Sequence, residues 1–355
     1  MAKPTIANVA QLAGVSQATV SRALRGATNV TEATRNKVRQ AADQLNFTLS
    51  KSASALASGK TMRVILLVSG KLNEWFNSGV LQGVYEELAP FGYDVTPAFI
   101  TDRSELDRFF SQLPKSRNSD AIIISSFQLM PAMREQLQAI DLPTVGVNVP
   151  AESGYFDASI SIDNYSAMTM AVRLLRSLGH TNIAFCSDYI PADMIYNTSQ
   201  RTQAFADAAQ ANATDGIMFS LLTADAHDAP LSKSDLASQL TAKLLSLPER
   251  PTAVCVETDQ VAIALVKELR KQQLNVPEDI SVLGFDDAEI AQAADLSTIR
   301  QEPIELGRIA GRKVLQLLRN EPLEHPHEMC IRDSYTIMPI WSTSNAGCSG
   351  SPTNR

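Results

Sequence analysis

One short stretch between Val15 and Arg25 has side chains whose types and spacing suit the reading of a nucleic acid. At helical spacing, one face carries Gln17, Ala18, Ser21, Arg22 and Arg25, and the other carries Thr19, Val20, Ala23 and Leu24. Glutamine and arginine can pair bidentately with base edges in the major groove of DNA, and a small alanine can lie against a thymine methyl. The pattern alone favours the commoner alternative, a surface helix with a solvated polar face.

The flanking residues supply the elements that would position this helix. Thr5 is suited to cap a preceding helix that ends at Gly14, and Ser16 is suited to cap the helix itself. A third helix is expected to start at a Thr31 cap. Three short helices, the first two joined by a tight glycine turn, predict a helix-turn-helix unit.

The charge distribution separates this unit from the rest of the chain. The whole protein of 355 residues has a net charge of −7, but residues 1–60 hold eight basic side chains against two acidic ones, a net charge of +6. The remaining residues therefore carry −13. A basic N-terminal unit on an acidic body is typical of a nucleic-acid reader attached to a second functional domain.

Residues 47–60, rich in serine and alanine, are predicted to form a linker. They include a short potential helix from a Ser50 cap through Ala57, which is too short to be stable alone in water. We expect it to form mainly when docked.

After Thr61, apolar runs of four to seven residues alternate with helical stretches, which predicts parallel sheets covered on both faces. A first set of strands ends at Thr144–Val147, and a second set is expected to begin at Ser159–Ile162. Two such α/β units in series create a cleft, and open parallel sheets bind ligands beyond the carboxyl ends of their strands. The body is therefore predicted to be a ligand sensor.

The sequence resembles the LacI/GalR family of transcription regulators. Four blocks of residues near the N-terminus and several motifs of the body carry this resemblance. The blocks are Thr5-Ile6-Ala7-Asn8-Val9-Ala10, Ala13-Gly14-Val15-Ser16, Thr19-Val20-Ser21-Arg22 and Thr34-Arg35-Asn36-Lys37-Val38. In the body, Val276-Pro277-Glu278-Asp279 and Gly284-Phe285-Asp286-Asp287 stand where the family's motifs are expected. The resemblance implies an α-helical helix-turn-helix headpiece followed by an α/β two-lobed effector domain like that of periplasmic binding proteins.

The resemblance also assigns residues to DNA binding. It implies that Gln17, Ala18 and Arg22 read bases and that the phosphate contacts come from Thr5, Ser16, Ser21 and Thr34. In the family the linker is a hinge helix that orders on operator DNA, and Leu56 occupies the position of the leucine that enters the minor groove. Such an apolar wedge unstacks and kinks the duplex.

The resemblance further implies an effector site, lined by Trp75, Phe76, Ser125, Asp163, Arg201, Thr258 and Asp286. Aromatic faces stack on sugars, and arginine and aspartate bind hydroxyl groups through charge-assisted hydrogen bonds, so the implied ligand is neutral and polyhydroxylated. Ordinary core packing is the alternative role for Trp75 and Phe76, and a turn position is the alternative for Asp286.

The predicted domains are a helix-turn-helix unit at 1–46, a hinge at 47–60, a two-lobed ligand-binding and dimerisation domain at 61–344 and a disordered tail at 345–355. Residues 335–343 resemble the family's returning final strand. Just before them, Met329-Cys330-Ile331-Arg332-Asp333-Ser334 matches a one-frame translation of a transposon end used in library preparation. This match suggests the hypothesis that the six residues are an insertion.

The function predicted from these observations is a repressor of carbohydrate-utilisation genes that a sugar releases from its operator, acting as a homodimer on double-stranded operator DNA. A sugar-responsive co-repressor or activator is the alternative, and a solute-binding protein is a more distant one. The chain lacks a GxSxG elbow, a complete phosphate loop and CxxC spacing, so we expect no enzyme activity, no cofactor and no metal. Met1–Pro4 leads into an amphipathic helix and no run reaches membrane-spanning length, so a cytoplasmic protein without membrane contact is expected.

Overall fold

The computed structural model describes residues 4–24, 29–47, 60–116, 118–149, 154–189, 198–212, 216–226, 231–330 and 335–336. The predictions for Arg25, the hinge at 48–59 with Leu56, and the tail lie outside these ranges. The chain divides into two compact units, one of Met1–Arg63 with Asn118–Asp120 and one of Val64–Arg117 with Ala121–Arg355. Within the described ranges, no helix is long and apolar enough to cross a membrane.

The first unit contains the three predicted helices, α1 (Ile6–Ala13), α2 (Gln17–Leu24) and α3 (Glu32–Gln44). They enclose a small core around Val9, Val20 and Val38, which are fully buried. Each predicted cap is confirmed: the hydroxyls of Thr5, Ser16 and Thr31 accept the backbone N–H groups of Asn8, Thr19 and Thr34, respectively. Gly14 has the left-handed conformation (φ 68°) that ends α1 and permits the tight turn.

The chain directly after the predicted hinge is fixed by one carboxylate. Asp120 Oδ1 accepts hydrogen bonds from the backbone N–H (2.7 Å) and the hydroxyl (2.9 Å) of Thr61. Its Oδ2 accepts the backbone N–H of Met62 at 2.9 Å. Three donors to one carboxylate hold these residues in place where β1 is about to begin.

From Arg63 onward, strands and helices alternate as predicted. The strands are β1 (Arg63–Ser69), β2 (Asp94–Ile100), β3 (Ala121–Ser125), β4 (Thr144–Val147), β5 (Ala158–Ile162), β6 (Asn182–Ser187), β7 (Met218–Thr223), β8 (Ala253–Val256), β9 (Ser281–Asp286), β10 (Ser297–Arg300), β11 (His327–Cys330) and β12 (Tyr335–Thr336). The helices are α4 (Trp75–Leu88), α5 (Arg103–Ser116), α6 (Pro131–Gln138), α7 (Asn164–Ser177), α8 (Thr198–Ala211), α9 (Lys233–Leu245), α10 (Asp259–Lys271), α11 (Glu289–Ala293) and α12 (Pro303–Leu318).

The strands form two sheets of six, in the orders β11-β5-β4-β3-β1-β2 and β12-β10-β9-β8-β6-β7. Neighbouring strands from β11 to β1 in the first sheet, and from β10 to β7 in the second, run parallel, whereas β12 is antiparallel to β10. Separate apolar cores lie on the sheets of each lobe. The two-lobed α/β architecture is confirmed.

The prediction that Ser159–Ile162 opens the second lobe is wrong. This segment is β5, which pairs with β4 in the first sheet, Val145 opposite Ala158. A strand that was not predicted, β11 at His327–Cys330, extends the first sheet beside β5. Of the returning strand expected at 335–343, Tyr335–Thr336 form β12, which pairs with β10 in the second sheet, and the other residues lie outside the described ranges. Strand identity was readable from the apolar run, but the choice of sheet depends on partners distant in sequence. Met329 and Cys330, the first two residues of the suspected insertion, continue the register of β11 opposite Ser161 and Ile162. The insertion itself stays a hypothesis.

Glycines allow α4 and α12 of the first lobe to pack with their backbones close together. A Cβ atom on Gly83 would lie 2.0 Å from the carbonyl oxygen of Ile304, and one on Gly307 would lie 2.3 Å from that of Val80. Ion pairs flank the crossing, with Arg308 Nη2 at 2.7 Å from Glu86 Oε2. Through this contact α12, which follows β10 of the second sheet, packs against α4 of the first lobe, and β12 later adds a strand to the second sheet.

Candidate DNA-binding helix and effector site

Helix α2 separates its faces as predicted. Gln17, Ala18 and Arg22 are exposed, whereas Val20 and Ala23 are buried in the core of the helical unit. The Nε of Arg22 donates to the carbonyl of Ala18 at 3.3 Å, which lays the guanidinium along the exposed face. The polar face is thus available to a partner, and the base-reading roles stay predictions.

Three of the four candidate phosphate contacts are hydroxyls near helix N-termini, and the fourth is Ser21. Thr5 and Ser16 are the caps of α1 and α2, and Thr34 lies in the first turn of α3, 2.9 Å from the Thr31 hydroxyl. Ser21 is half-buried within α2. Helix N-termini present free N–H groups and a partial positive charge, which favour phosphate. The same hydroxyls also stabilise the unit by capping.

In the second lobe, the structure brings Arg201 and Asp286 together. Arg201 lies near the start of α8 and is only 3% exposed. Its Nη1 is 3.9 Å from Asp286 Oδ1 at the end of β9, and its Cζ lies 3.7 Å from the centroid of the Phe285 ring. The guanidinium also donates to Asn164 Oδ1 at 3.2 Å and to the backbone carbonyl of Glu257 at 2.5 Å. The group is therefore held rigidly beside the carboxyl ends of β8 and β9.

Asp286 has a backbone that few residues other than glycine adopt. Its φ is 137°, and Asp287 follows with a φ of 57°. Gln301 holds this turn by donating its backbone N–H to the carbonyl of Asp286 at 3.1 Å and its side-chain amide to Asp286 Oδ1. Unfavourable backbone conformations persist where the surroundings over-determine them, and they cluster at functional sites. The turn at Asp286 and Asp287 thus holds the Asp286 carboxylate at the carboxyl end of the second sheet.

Asp259 supports the same turn from α10. Its Oδ1 accepts the hydroxyl of Thr298 at 2.6 Å, and its Oδ2 accepts the backbone N–H of Ala288 at 3.0 Å. Gly284 is needed for this approach, since a Cβ there would lie 2.2 Å from Asp259 Oδ1. The Asp259 carboxylate is thus committed to holding the protein.

The charges of this cluster are unbalanced. Burial raises the pKa of Asp286 to about 7, against the opposing effect of Arg201, and burial raises the pKa of Glu257 to about 7. Burial also raises the pKa of Asp259 and lowers that of Arg201. One guanidinium therefore faces three carboxyl groups whose ionisation burial opposes.

Thr258 and Gln301 contribute polar atoms to the same strand ends. The hydroxyl of Thr258 and the Oε1 of Gln301 are buried, and neither has a hydrogen-bond partner within the described residues. Thr258 is the second residue after β8, and Gln301 is the first residue after β10. Unsatisfied buried polar atoms at strand ends are suited to receive a ligand.

Asp163 has a structural role that the sequence did not separate from ligand binding. It is the N-cap of α7, and its two carboxylate oxygens accept the backbone N–H (2.9 Å) and the hydroxyl (2.8 Å) of Ser166. Both oxygens are thus engaged in capping. Its assignment to the effector site stays a prediction.

The other predicted effector residues belong to the first lobe. Trp75 and Phe76 begin α4 after β1 and are half-buried. Ser125 ends β3, is fully buried, and lies 3.2 Å from the Ser126 hydroxyl. The residues thus fall into two groups, with Trp75, Phe76 and Ser125 in one lobe and Arg201, Thr258 and Asp286 in the other.

Sequence reasoning missed Asn164, Glu257 and Gln301, which complete the surroundings of Arg201 and Asp286. Each follows a strand by one or two positions, which is the signal that could have found them. For metals, the described ranges contain no group of three His, Cys, Asp or Glu side chains that could hold an ion.

Both the helical unit and the two-lobed domain match known protein families. Residues 5–50 match the family described as "Bacterial regulatory proteins, lacI family", and residues 172–336 match the "Periplasmic binding protein-like domain". The HTH-type transcriptional repressor PurR of Vibrio vulnificus is 30% identical over 340 residues, which cover 93% of this chain and 98% of that protein.

Two solved structures share this fold, one over nearly the whole chain and one over about three quarters of it. A lac repressor dimer bound to operator and the anti-inducer ONPF has a TM-score of 0.78 and 22% identity, covering 96% of this chain and 99% of that one. A LacI family regulator from Lactobacillus casei with bound sucrose has a TM-score of 0.64 and 25% identity, covering 78% and 98%.

The chain belongs to the lacI family of bacterial regulatory proteins and is a DNA-binding transcriptional repressor. The proteins that it resembles are transcription regulators rather than enzymes.

Proposed function

We propose that this repressor is controlled by a sugar, which binds at the carboxyl ends of the strands in the two-lobed domain and releases the operator. The observation that carries the proposal is the buried pair of Arg201 and Asp286, with the unsatisfied Oε1 of Gln301 beside it. A cation, a carboxylate and an amide held together offer both donors and acceptors, which is what vicinal hydroxyl groups require. The sucrose bound to the Lactobacillus casei regulator supports this ligand class.

The first lobe supplies a second kind of contact to this proposed site. Trp75 and Phe76 lie in the first turn of α4, which follows β1 after a loop of five residues. Aromatic rings present apolar faces against which the C–H face of a sugar stacks. A ligand that contacts both lobes would stabilise one arrangement of the lobes over others, and this differential binding is the physical basis of the response.

On DNA, the proposal assigns base reading to Gln17, Ala18 and Arg22. Two copies of the helical unit, as in the lac repressor dimer, would read the two halves of a pseudo-palindromic operator. The targets that we propose are carbohydrate-utilisation genes, and the place of action is the cytoplasm.

An operator gel shift across a sugar panel tests the proposal. The DNA probes are the upstream regions of neighbouring genes, and the panel contains neutral mono- and disaccharides, including sucrose and cellobiose. Release of DNA by at least one sugar, lost in Arg201→Lys, is expected, because lysine cannot keep the two directed bonds to Asn164 and Glu257. Binding that no sugar alters would contradict the proposal, and sugar-enhanced binding would favour co-repression.

A further inference from the structure

Glu257 is a buried carboxylate that has few hydrogen-bond donors among the residues that the structure describes. It follows β8 directly and is 5% exposed. Its Oε1 accepts one hydrogen bond, from the backbone N–H of Asp188 at 3.0 Å. An ionised carboxylate has about four lone-pair sites, and burying one without further donors or a cation is costly.

Among the described residues, no neighbouring cation forms an ion pair with the Glu257 carboxylate. Arg201 donates to the backbone carbonyl of Glu257 rather than to its carboxylate, and lies toward Asp286. Arg300 is paired with Asp287 at 2.6 Å. Lys233 is an exposed residue at the start of α9 whose charge favours the ionised form of Glu257, but it forms no ion pair with that carboxylate within 4 Å.

The other carboxylates of the cluster have their donors. Asp259 is bonded to Thr298 and to the backbone of Ala288, and Asp286 accepts the amide of Gln301. Asp286 accepts one donor, as Glu257 does, but it also has Arg201 Nη1 at 3.9 Å, whereas no cation of the described residues lies within 4 Å of the Glu257 carboxylate. Two further acceptors without partners in the described chain, the Thr258 hydroxyl and Gln301 Oε1, belong to the same strand ends, and Gln301 is 7% exposed.

We propose that Glu257 selects an effector that carries a protonated amine, so that the ligand class is an amino sugar and sugar acids and sugar phosphates are excluded. This inference rests on the proposed sugar response and narrows its ligand. A hydroxyl group would satisfy one lone pair of the carboxylate and leave the excess negative charge uncompensated. An ammonium group supplies three donors and a compensating charge, whereas an anionic substituent would add to the repulsion.

Matched pairs of ligands test the inference on the full chain. Affinities are measured by calorimetry for glucosamine against glucose and galactosamine against galactose, with N-acetylglucosamine as the neutral nitrogen control. Glucuronate and glucose 6-phosphate represent the anions. In at least one pair the amine is expected to bind at least about 10-fold more tightly than its hydroxyl counterpart, the range of a hydrogen bond to a charged group.

The Glu257→Gln variant is expected to reduce this advantage to less than about 3-fold, because the amide keeps the shape and loses the charge. Circular dichroism melts establish that the variant is folded. The matched control, Glu249→Gln, changes an exposed carboxylate in the loop after α9 and is expected to keep the advantage.

Each outcome decides between the proposals. If no amine binds more tightly than its counterpart, or if Glu257→Gln keeps the preference, the assignment of Glu257 is overturned. Neutral sugars that release the operator without any preference for the amine would overturn it and leave the sugar-responsive repressor standing. If neither amino sugars nor neutral sugars bind, both the assignment of Glu257 and the proposed sugar response are overturned.

Discussion

Nη1 of Arg201 lies 3.9 Å from Oδ1 of Asp286, and both side chains are buried at the end of a parallel sheet. The pair joins the start of α8 to the end of β9. This distance is long for an ion pair, because the guanidinium donates hydrogen bonds to Asn164 and to the backbone carbonyl of Glu257 instead. The two groups thus stand beside each other with capacity to bind a third partner.

Replacing Asp286 with asparagine is expected to abolish release of the operator by effector. The amide removes the negative charge beside Arg201 and cannot accept bonds on both of its terminal atoms. DNA binding in the absence of effector should persist, which makes the variant a constitutive repressor. Operator gel shifts with and without effector measure the change. Asp295→Asn is the matched control, since Asp295 is exposed and its φ of 50° suits asparagine. Normal release by Asp286→Asn would refute the assignment.

Glu257→Gln is expected to change the pH dependence of stability. Burial raises the pKa of Glu257 to about 7, against the lowering effect of the hydrogen bond from the Asp188 backbone and of the charges of Lys233 and Arg201; the charge of Asp188 adds to the rise. Between about pH 4.5 and 7 the folded carboxyl holds a proton that the unfolded chain has released, so the contribution of Glu257 to stability falls as the pH rises. Unfolding in urea at pH 5, 6, 7 and 8 is the measurement. The urea midpoint of the variant should rise relative to that of the wild type as the pH rises. Parallel curves for the two proteins would refute the prediction.

Gly83→Ala is expected to destabilise the first lobe by about 2 kcal/mol or more, because its methyl group would lie 2.0 Å from the carbonyl oxygen of Ile304 and the helices must separate. The consequence is a lower urea midpoint and a melting temperature reduced by several degrees. Gly154→Ala is the control, since nothing lies within 4 Å of the added methyl group. Equal stability of the two variants would contradict the prediction, because it would show that α4 and α12 can move apart with little loss of free energy of unfolding.

Arg22→Ala is expected to weaken binding to the specific operator by about 5- to 150-fold, the value of a bidentate contact of 1–3 kcal/mol to a base. Affinity for the effector should be unchanged. Arg39→Ala, which removes an equal charge from an exposed position on α3, serves as the control. Competition gel shifts against unrelated DNA separate the two effects, because loss of a phosphate contact weakens all sequences alike. Unchanged discrimination by Arg22→Ala would remove this residue from base reading.

Local chemistry was enough to predict much of the helical unit. A hydroxyl residue before an apolar periodic run specifies a helix start, and the caps at Thr5, Ser16 and Thr31 are formed as predicted. The separation of Gln17 and Arg22 from Val20 followed from helical period alone. These features depend on residues within one or two turns of each other.

The composition of the candidate effector site depended on contacts between residues that are far apart in the sequence. Asp286 and Arg201 were predicted one by one, but Asn164, Glu257 and Gln301 were missed, since their meeting requires strands far apart in the chain to share one sheet edge. Asp163 shows the converse, because its helix-capping bonds to Ser166 are local but were not separated from ligand binding.

The sequence by itself determined the three N-terminal helices, most strands of the body and the charge division between a basic reader and an acidic body, because periodicity, caps and composition act over short distances. It did not predict β10 or β11. Tertiary structure alone decided that β5 and β11 belong to the first sheet, where Val145 pairs with Ala158 and His327 with Ser159. It also decided that one guanidinium meets three carboxyl groups, Glu257 among them. Both are matters of long-range partnership, in which burial and hydrogen bonding select among alternatives that the local sequence leaves equal.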